Sequence, residues 1–132
     1  MTQSKLIITM MMLSSLSCYA QKPEIAFKPI TPFKFTMTEK DVAVVGYNVI
    51  NETGSTIKLN TTLEAGMKSI KGDGNCGMGM VLLSKKGCLL SLELTGSKMK
   101  GDIKHMPFLC APDFSKCYYP PEKYQMDVIL KR

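Results

Sequence analysis

The sequence predicts a small all-β domain, and three observations predict it. After residue 20 no stretch of useful length repeats with the 3.6-residue period of a helix, whereas several short segments alternate apolar and polar residues with period two. Glycine, proline and asparagine fall between those segments as turn signals. Four cysteines, Cys76, Cys88, Cys110 and Cys117, follow an N-terminus that reads as an export signal, an arrangement suited to disulfides.

The export signal comes first in the chain. Lys5 supplies a positive charge, Leu6 to Leu16 an apolar run, and Ser17-Cys18-Tyr19-Ala20 a small-residue cleavage region before Gln21. Eleven residues span only about 16 Å as a helix, against roughly 30 Å of bilayer hydrocarbon, so the run reads as a leader over 1–20 rather than a transmembrane anchor. No later segment is long and apolar enough to cross a membrane. A lipoprotein reading would instead keep Cys18 as a lipidated first residue, but Ser15 stands where that signal carries leucine.

Cleavage after Ala20 leaves an even number of cysteines. Three pairings are formally open, and sequence order with short loops favours Cys76–Cys88 and Cys110–Cys117. Loss of Lys5 leaves 16 basic and 11 acidic residues, a net charge of +5. The lysines are spread along the chain, with Lys85-Lys86 the mid-chain pair. The reading is therefore a solvated basic surface, without a nucleic-acid partner.

Residues 21–32 hold Pro23, Pro29 and Pro32 and read as an extended edge or leader. Phe33, Phe35 and Met37 alternate as a first strand. From Val42 to Ile50, Ala43, Val45, Tyr47 and Val49 share a face, and residues 51–55 form a polar turn. Ile57, Leu59 and Thr61 make the next strand, ended at Ala65-Gly66. Four glycines between Gly72 and Gly79 predict an irregular loop. Met80 to Leu83 is a short apolar strand, and Lys85-Lys86-Gly87 turns it into Cys88 to Thr95, with Leu90, Leu92 and Leu94 facing the core. Gly96 and Gly101 punctuate the next stretch, the second cysteine pair encloses residues 111–116, and Met126 to Leu130 closes the domain. About seven strands at this spacing over 33–132 suggest a Greek-key sandwich of immunoglobulin type, with a small barrel as the alternative.

The residues Val45-Gly46-Tyr47-Asn48-Val49-Ile50-Asn51, Asn75-Cys76, Gly87-Cys88-Leu89-Leu90-Ser91-Leu92, Leu94-Thr95-Gly96-Ser97, and Leu109-Cys110 through Cys117-Tyr118 stand in a telling order. The chain thereby resembles the small cysteine-bearing, immunoglobulin-like β-sandwich domains of exported proteins from intracellular gamma-proteobacteria. That family often carries a Pro- and Gln-rich stretch after the second strand, where this chain has Met67-Lys68-Ser69-Ile70-Lys71. The resemblance implies a fold and a compartment, periplasmic or secreted, and no activity.

Chemistry is sparse. His105 is the only histidine, so a protease-like triad lacks its parts, and Asp102 and Asp113 have no spacing that asks for catalysis. There is no Cys-x-x-Cys pair. No enzyme activity, cofactor or metal is expected. Met78 and Met80, with Met67 and His105, form the one alternative, an envelope copper carrier with soft thioether ligands. The sequons at Asn51 and Asn60 would matter only in a eukaryotic secretory route. Phe108, Phe114, Tyr118, Tyr119 and Tyr124, interleaved with Lys104, Lys116 and Lys123, are the candidate binding surface, because aromatic and basic groups make good contacts.

Three functions follow as expectations. The first is a non-enzymatic envelope binding module acting through a protein partner, supporting a secretion assembly or virulence. The second is a host-facing virulence factor of the same fold, and the third is the copper carrier. Edge strands also offer a route to homo-oligomers.

Overall fold

The computed structural model describes residues 24–132; the leader and the mature start at Gln21 lie outside the described residues. The described residues are all-β, with eleven strands in three sheets. They are β1 (Ile25–Pro29), β2 (Lys34–Thr38), β3 (Val42–Asn51), β4 (Ile57–Thr62), β5 (Met67–Ser69), β6 (Met80–Leu82), β7 (Gly87–Thr95), β8 (Ile103–Met106), β9 (Phe108–Cys110), β10 (Cys117–Tyr118) and β11 (Met126–Lys131). The first sheet runs β1-β3-β7-β5, the second β10-β9-β4-β6 and the third β2-β11-β8. None of these sheets closes on itself, as the barrel alternative requires.

The strand number corrects the expected seven. The additional strands are two to five residues long, too short to carry a period-two signal in sequence. β8 and β9 are separated only by Pro107, which has no N–H to donate to a ladder. β1 lies within the proline-bearing segment 21–32. It occupies a sheet edge, and its Ile25 and Phe27 are buried in the core.

β3 and β7 form the longest pairing, antiparallel from Val42↔Thr95 to Ile50↔Gly87. Alternation sends Val45, Tyr47 and Val49 inward from β3 and Leu90, Leu92 and Leu94 inward from β7, all fully buried. Burying each such aliphatic side chain is worth about 1.5–3 kcal/mol. Leu59, Leu109, Ile103, Met106, Met126, Val128 and Met37 join the same cluster from the other two sheets, so one core serves all three. Phe27 meets the Tyr47 ring edge-on at 6.4 Å between centroids.

The chain leaves β1 in the first sheet and enters β2 in the third after running on beside β3 as far as Gly46. Ile30 N–H donates to the Gly46 carbonyl at 2.9 Å, and Gly46 N–H donates to Thr31 Oγ1 at 2.9 Å. A Cβ at Gly46 would stand 3.1 Å from Ile30 Cγ1, so glycine is what lets the crossover lie close. β2 then pairs in parallel with β11, from Lys34↔Asp127 to Thr38↔Lys131.

Both expected disulfides are present. Cys76–Cys88 ties the glycine-rich loop to β7, where an isolated bridge joins Asn75 to Leu89 and Cys76 N–H donates to the Leu89 carbonyl at 2.8 Å. Cys110–Cys117 joins directly opposed residues of the β9–β10 hairpin. Disulfide bonds of this kind persist in oxidising compartments. No helix among the described residues is long and apolar enough to cross a membrane.

Candidate functional site

The fold divides the aromatic and basic residues singled out in sequence between two places. One is the end of the molecule built on the β9–β10 hairpin. The other is the groove beside β8, β11 and the 3₁₀ turn Glu122–Tyr124.

At the hairpin end, Phe108 and Tyr119 stack with ring centroids 5.1 Å apart. Lys116 lies 5.3 Å from the centroid of Tyr118 and donates to Glu24 Oε2 at 2.6 Å. That hydrogen bond holds the Glu24 carboxyl below its ordinary range and raises the Lys116 ammonium. The ion pair links the start of β1 to the hairpin, a contact invisible to sequence because its members are far apart in the chain. Between the cysteines, Ala111 N–H donates to the Lys116 carbonyl at 2.9 Å and Phe114 N–H to the Ala111 carbonyl at 2.8 Å. Asp113 Oδ1 accepts from Ser115 N–H at 3.0 Å and Ser115 Oγ–H at 2.7 Å, which lowers the Asp113 pKa. Two large side chains of this end stand open to solvent, Tyr119 at 52% and Phe114 at 67%.

The groove holds the rest. Lys34, Lys104, His105, Glu122, Gln125, Met126 and Asp127 line a cavity of about 160 Å³, smaller than the roughly 300 Å³ at which drug-sized ligand pockets begin. Asp127 lies between two lysines in register, Lys34 on β2 and Lys104 on β8, beside a register shift in the β11–β8 ladder. Its Oδ1 is buried without a hydrogen-bond partner. His105 sits at φ +65° with Nδ1 3.1 Å from Gln125 Oε1. Its neighbour is thus an amide, while Asp102 accepts from Leu130 N–H at 2.8 Å. Lys123 lies 4.9 Å from the Tyr124 centroid, and Tyr124 packs edge-on against Phe33. Tyr124 therefore ties the 3₁₀ turn to Phe33. Its carbonyl accepts from the Tyr47 hydroxyl at 2.6 Å, and burial pushes that hydroxyl's pKa up.

The soft-ligand set occupies separate settings. Met78 is 69% exposed, Met80 Sδ lies 3.5 Å from the Cys88 sulfur, Met67 is buried at the start of β5, and His105 belongs to the groove. Among the described residues no group of three or more His, Cys, Asp and Glu side chains is placed to hold a metal ion.

Both sequons serve the fold. Asn51 is fully buried. Its Nδ2 donates to the carbonyls of Ser55 at 2.8 Å and Leu82 at 2.9 Å, and its Oδ1 accepts from Thr53 N–H at 3.0 Å and Thr53 Oγ–H at 2.6 Å. Asn60 Oδ1 accepts from Gly79 N–H. A strand ending in Asn-x-Thr is the sequence signal of the turn at Asn51, because that side chain can mimic the backbone two residues on. The groove left no such signal, since Asp127 meets its lysines only through strand register.

No protein-family model matches this chain, and no curated protein matches it.

Proposed function

We propose that this chain is an exported, non-enzymatic binding module, an immunoglobulin-like Greek-key sandwich that acts through protein–protein contacts in the bacterial cell envelope. The observation that carries the proposal is the hairpin end, where a disulfide-tied loop and the stacked Phe108–Tyr119 pair keep Phe114 and Tyr119 in solvent. Exposed aromatics on a fixed backbone bury large area at small entropic cost, which is what protein recognition uses.

The strand order supports the immunoglobulin-like assignment. β1-β3-β7-β5 matches the four-strand sheet of that architecture. With β8 and β9 taken as one strand broken at Pro107, and β10 with β11 as its neighbour, the other face reads β2, β11 with β10, β8 with β9, β4, β6. The resemblance carried by residues 45–51, 75–76 and 87–97 points the same way. Export rests on the leader at 1–20 together with the two disulfides.

Fractionation of the native cell, with crosslinking to Tyr119, tests the reading. Recovery in the periplasm with a specific protein partner is the expected result. Recovery in the medium or a host cell favours the host-facing version, and recovery in the cytoplasm with free thiols would remove the basis of the proposal.

A further inference from the structure

Phe114 is the most conspicuous apolar side chain at the hairpin end. It is 67% exposed, and its backbone lies at φ +58°. A bulky residue rarely occupies that left-handed region, which glycine or asparagine fills at less cost. The surrounding loop specifies it nevertheless. The Cys110–Cys117 bond closes the base, Ala111 N–H to Lys116 carbonyl forms the next rung, Phe114 N–H to Ala111 carbonyl makes the turn, and Asp113 ties down Ser115. This phenylalanine packs on neither of the aromatic pairs nearby, for Phe108 stacks with Tyr119 and Lys116 lies over Tyr118. An exposed aromatic in an unfavourable conformation, displayed by a closed loop, contributes nothing to the core that would repay its strain. Such strain collects at functional sites.

The charge around the tip narrows the kind of partner. Lys116 is already paired with Glu24, whereas Asp113 takes part in neither of the two ion pairs among the described residues. The uncompensated charge beside Phe114 is therefore negative. An anionic membrane surface would repel it, and one aromatic side chain whose nearby Lys116 is already paired with Glu24 is a weak lipid anchor. A protein cleft with an apolar floor and a cationic rim matches both groups at once.

We infer that Phe114 is the anchor of a protein-binding loop, seated in an apolar cleft of a partner protein whose rim presents Lys or Arg to Asp113. This inference rests on the protein-binding reading above and specifies its central contact. Phe114 enters the cleft, the loop needs no rearrangement to present it, and Tyr119 covers the edge of the contact.

The test places a benzoylphenylalanine photocrosslinker at position 114 or 119 of the full chain in its native cell. It is paired with the substitutions Phe114→Asn, Phe114→Gly and Asp113→Asn. Asparagine and glycine both accept the left-handed backbone, so these variants are expected to melt at or above the wild-type temperature. The expected result is one identified partner crosslinked from both positions, with the adduct from 114 mapping to an apolar cleft bearing Lys or Arg at its rim. Recovery through the position-119 crosslinker falls at least tenfold in Phe114→Asn and Phe114→Gly, and several-fold in Asp113→Asn. A partner crosslinked from 119 and indifferent to Phe114→Asn overturns the anchor but leaves the protein-binding reading standing. Absence of a specific adduct from both positions overturns both. Phe114-dependent flotation with vesicles of phosphatidylcholine and phosphatidylglycerol, or an adduct to a second copy of this chain, also overturns the cleft.

Discussion

Replacing Asn51 probes the most connected polar side chain in the core. Its amide joins the end of β3 to the turn at Ser55 and to Leu82 on β6, and its oxygen holds Thr53. The Leu82 contact is buried, whereas Ser55 and Thr53 lie nearer the surface, where water replaces part of what is lost. Asn51→Ala therefore leaves one buried carbonyl without a donor, at about 1–3 kcal/mol, and removes the other bonds at a smaller net cost, for roughly 2–4 kcal/mol in total.

Asn51→Asp keeps the shape but turns the two donated bonds into repulsions between a carboxylate and two carbonyls. Its folded-state pKa must then rise above the roughly 3.9 of an unfolded aspartate. The folded state consequently holds a proton that the unfolded state has released. The penalty is smallest below pH 4, grows as pH rises toward the folded-state pKa, and is constant above it. At pH 7 it should reach about 3–5 kcal/mol, as for an uncompensated buried charge. Urea unfolding of wild type, Asn51→Ala and Asn51→Asp at pH 4 and pH 7, with the disulfides intact, measures both differences. An Asn51→Asp penalty under about 1 kcal/mol at pH 7, or one unchanged at pH 4, would refute the reasoning.

Further outcomes follow from other contacts. Tyr47→Phe removes the hydroxyl bond to the Tyr124 carbonyl and should cost about 1–2 kcal/mol in the same unfolding assay; in the folded wild type, alkaline spectrophotometric titration compared with Tyr47→Phe should show the Tyr47 hydroxyl ionising well above the ordinary tyrosine range, and ionisation within that range would contradict its burial. Lys116→Ala should return the Glu24 carboxyl, depressed by its hydrogen bond to Lys116, to the ordinary glutamate range in an NMR titration. In wild type any stability from this pair is present above the unfolded glutamate pKa and lost as pH falls through the lower folded value, and an unchanged Glu24 titration in the variant would discard the pair. Gly96→Ala would drive a Cβ into the Thr38 carbonyl and to 3.1 Å from Glu39 Cα, both backbone, so it should lower the melting temperature by several degrees, where an unshifted melt would show that the neighbouring turn yields. Replacing Cys110 and Cys117 together by alanine should cost about 2.5 kcal/mol from the closed-loop length alone, and replacing Cys76 and Cys88 about 2.9 kcal/mol, both readable by denaturant unfolding.

Local pattern by itself determined the elements that are long or chemically marked. The alternation of Val45, Tyr47 and Val49 and of Leu90, Leu92 and Leu94 identifies the paired central strands, because a period of two leaves one face apolar whatever the neighbours are. The cysteine order favours the two disulfides that the structure shows among three formal pairings, since short loops bring the closest thiols together. Tertiary structure alone decided which short segments became strands. β5, β9 and β10 are two or three residues each and exist because an established strand offers them backbone partners. It also divided the aromatic and basic residues, which are neighbours in sequence, between the hairpin end and the groove, because the residues from Tyr119 to Gln125 carry the chain from β10 to β11. Asp127 met its lysines through register, and Glu24 met Lys116 through the closing of distant chain ends. Sequence determines such contacts only through the whole fold, since nothing local encodes a partner that pairing between distant strands supplies.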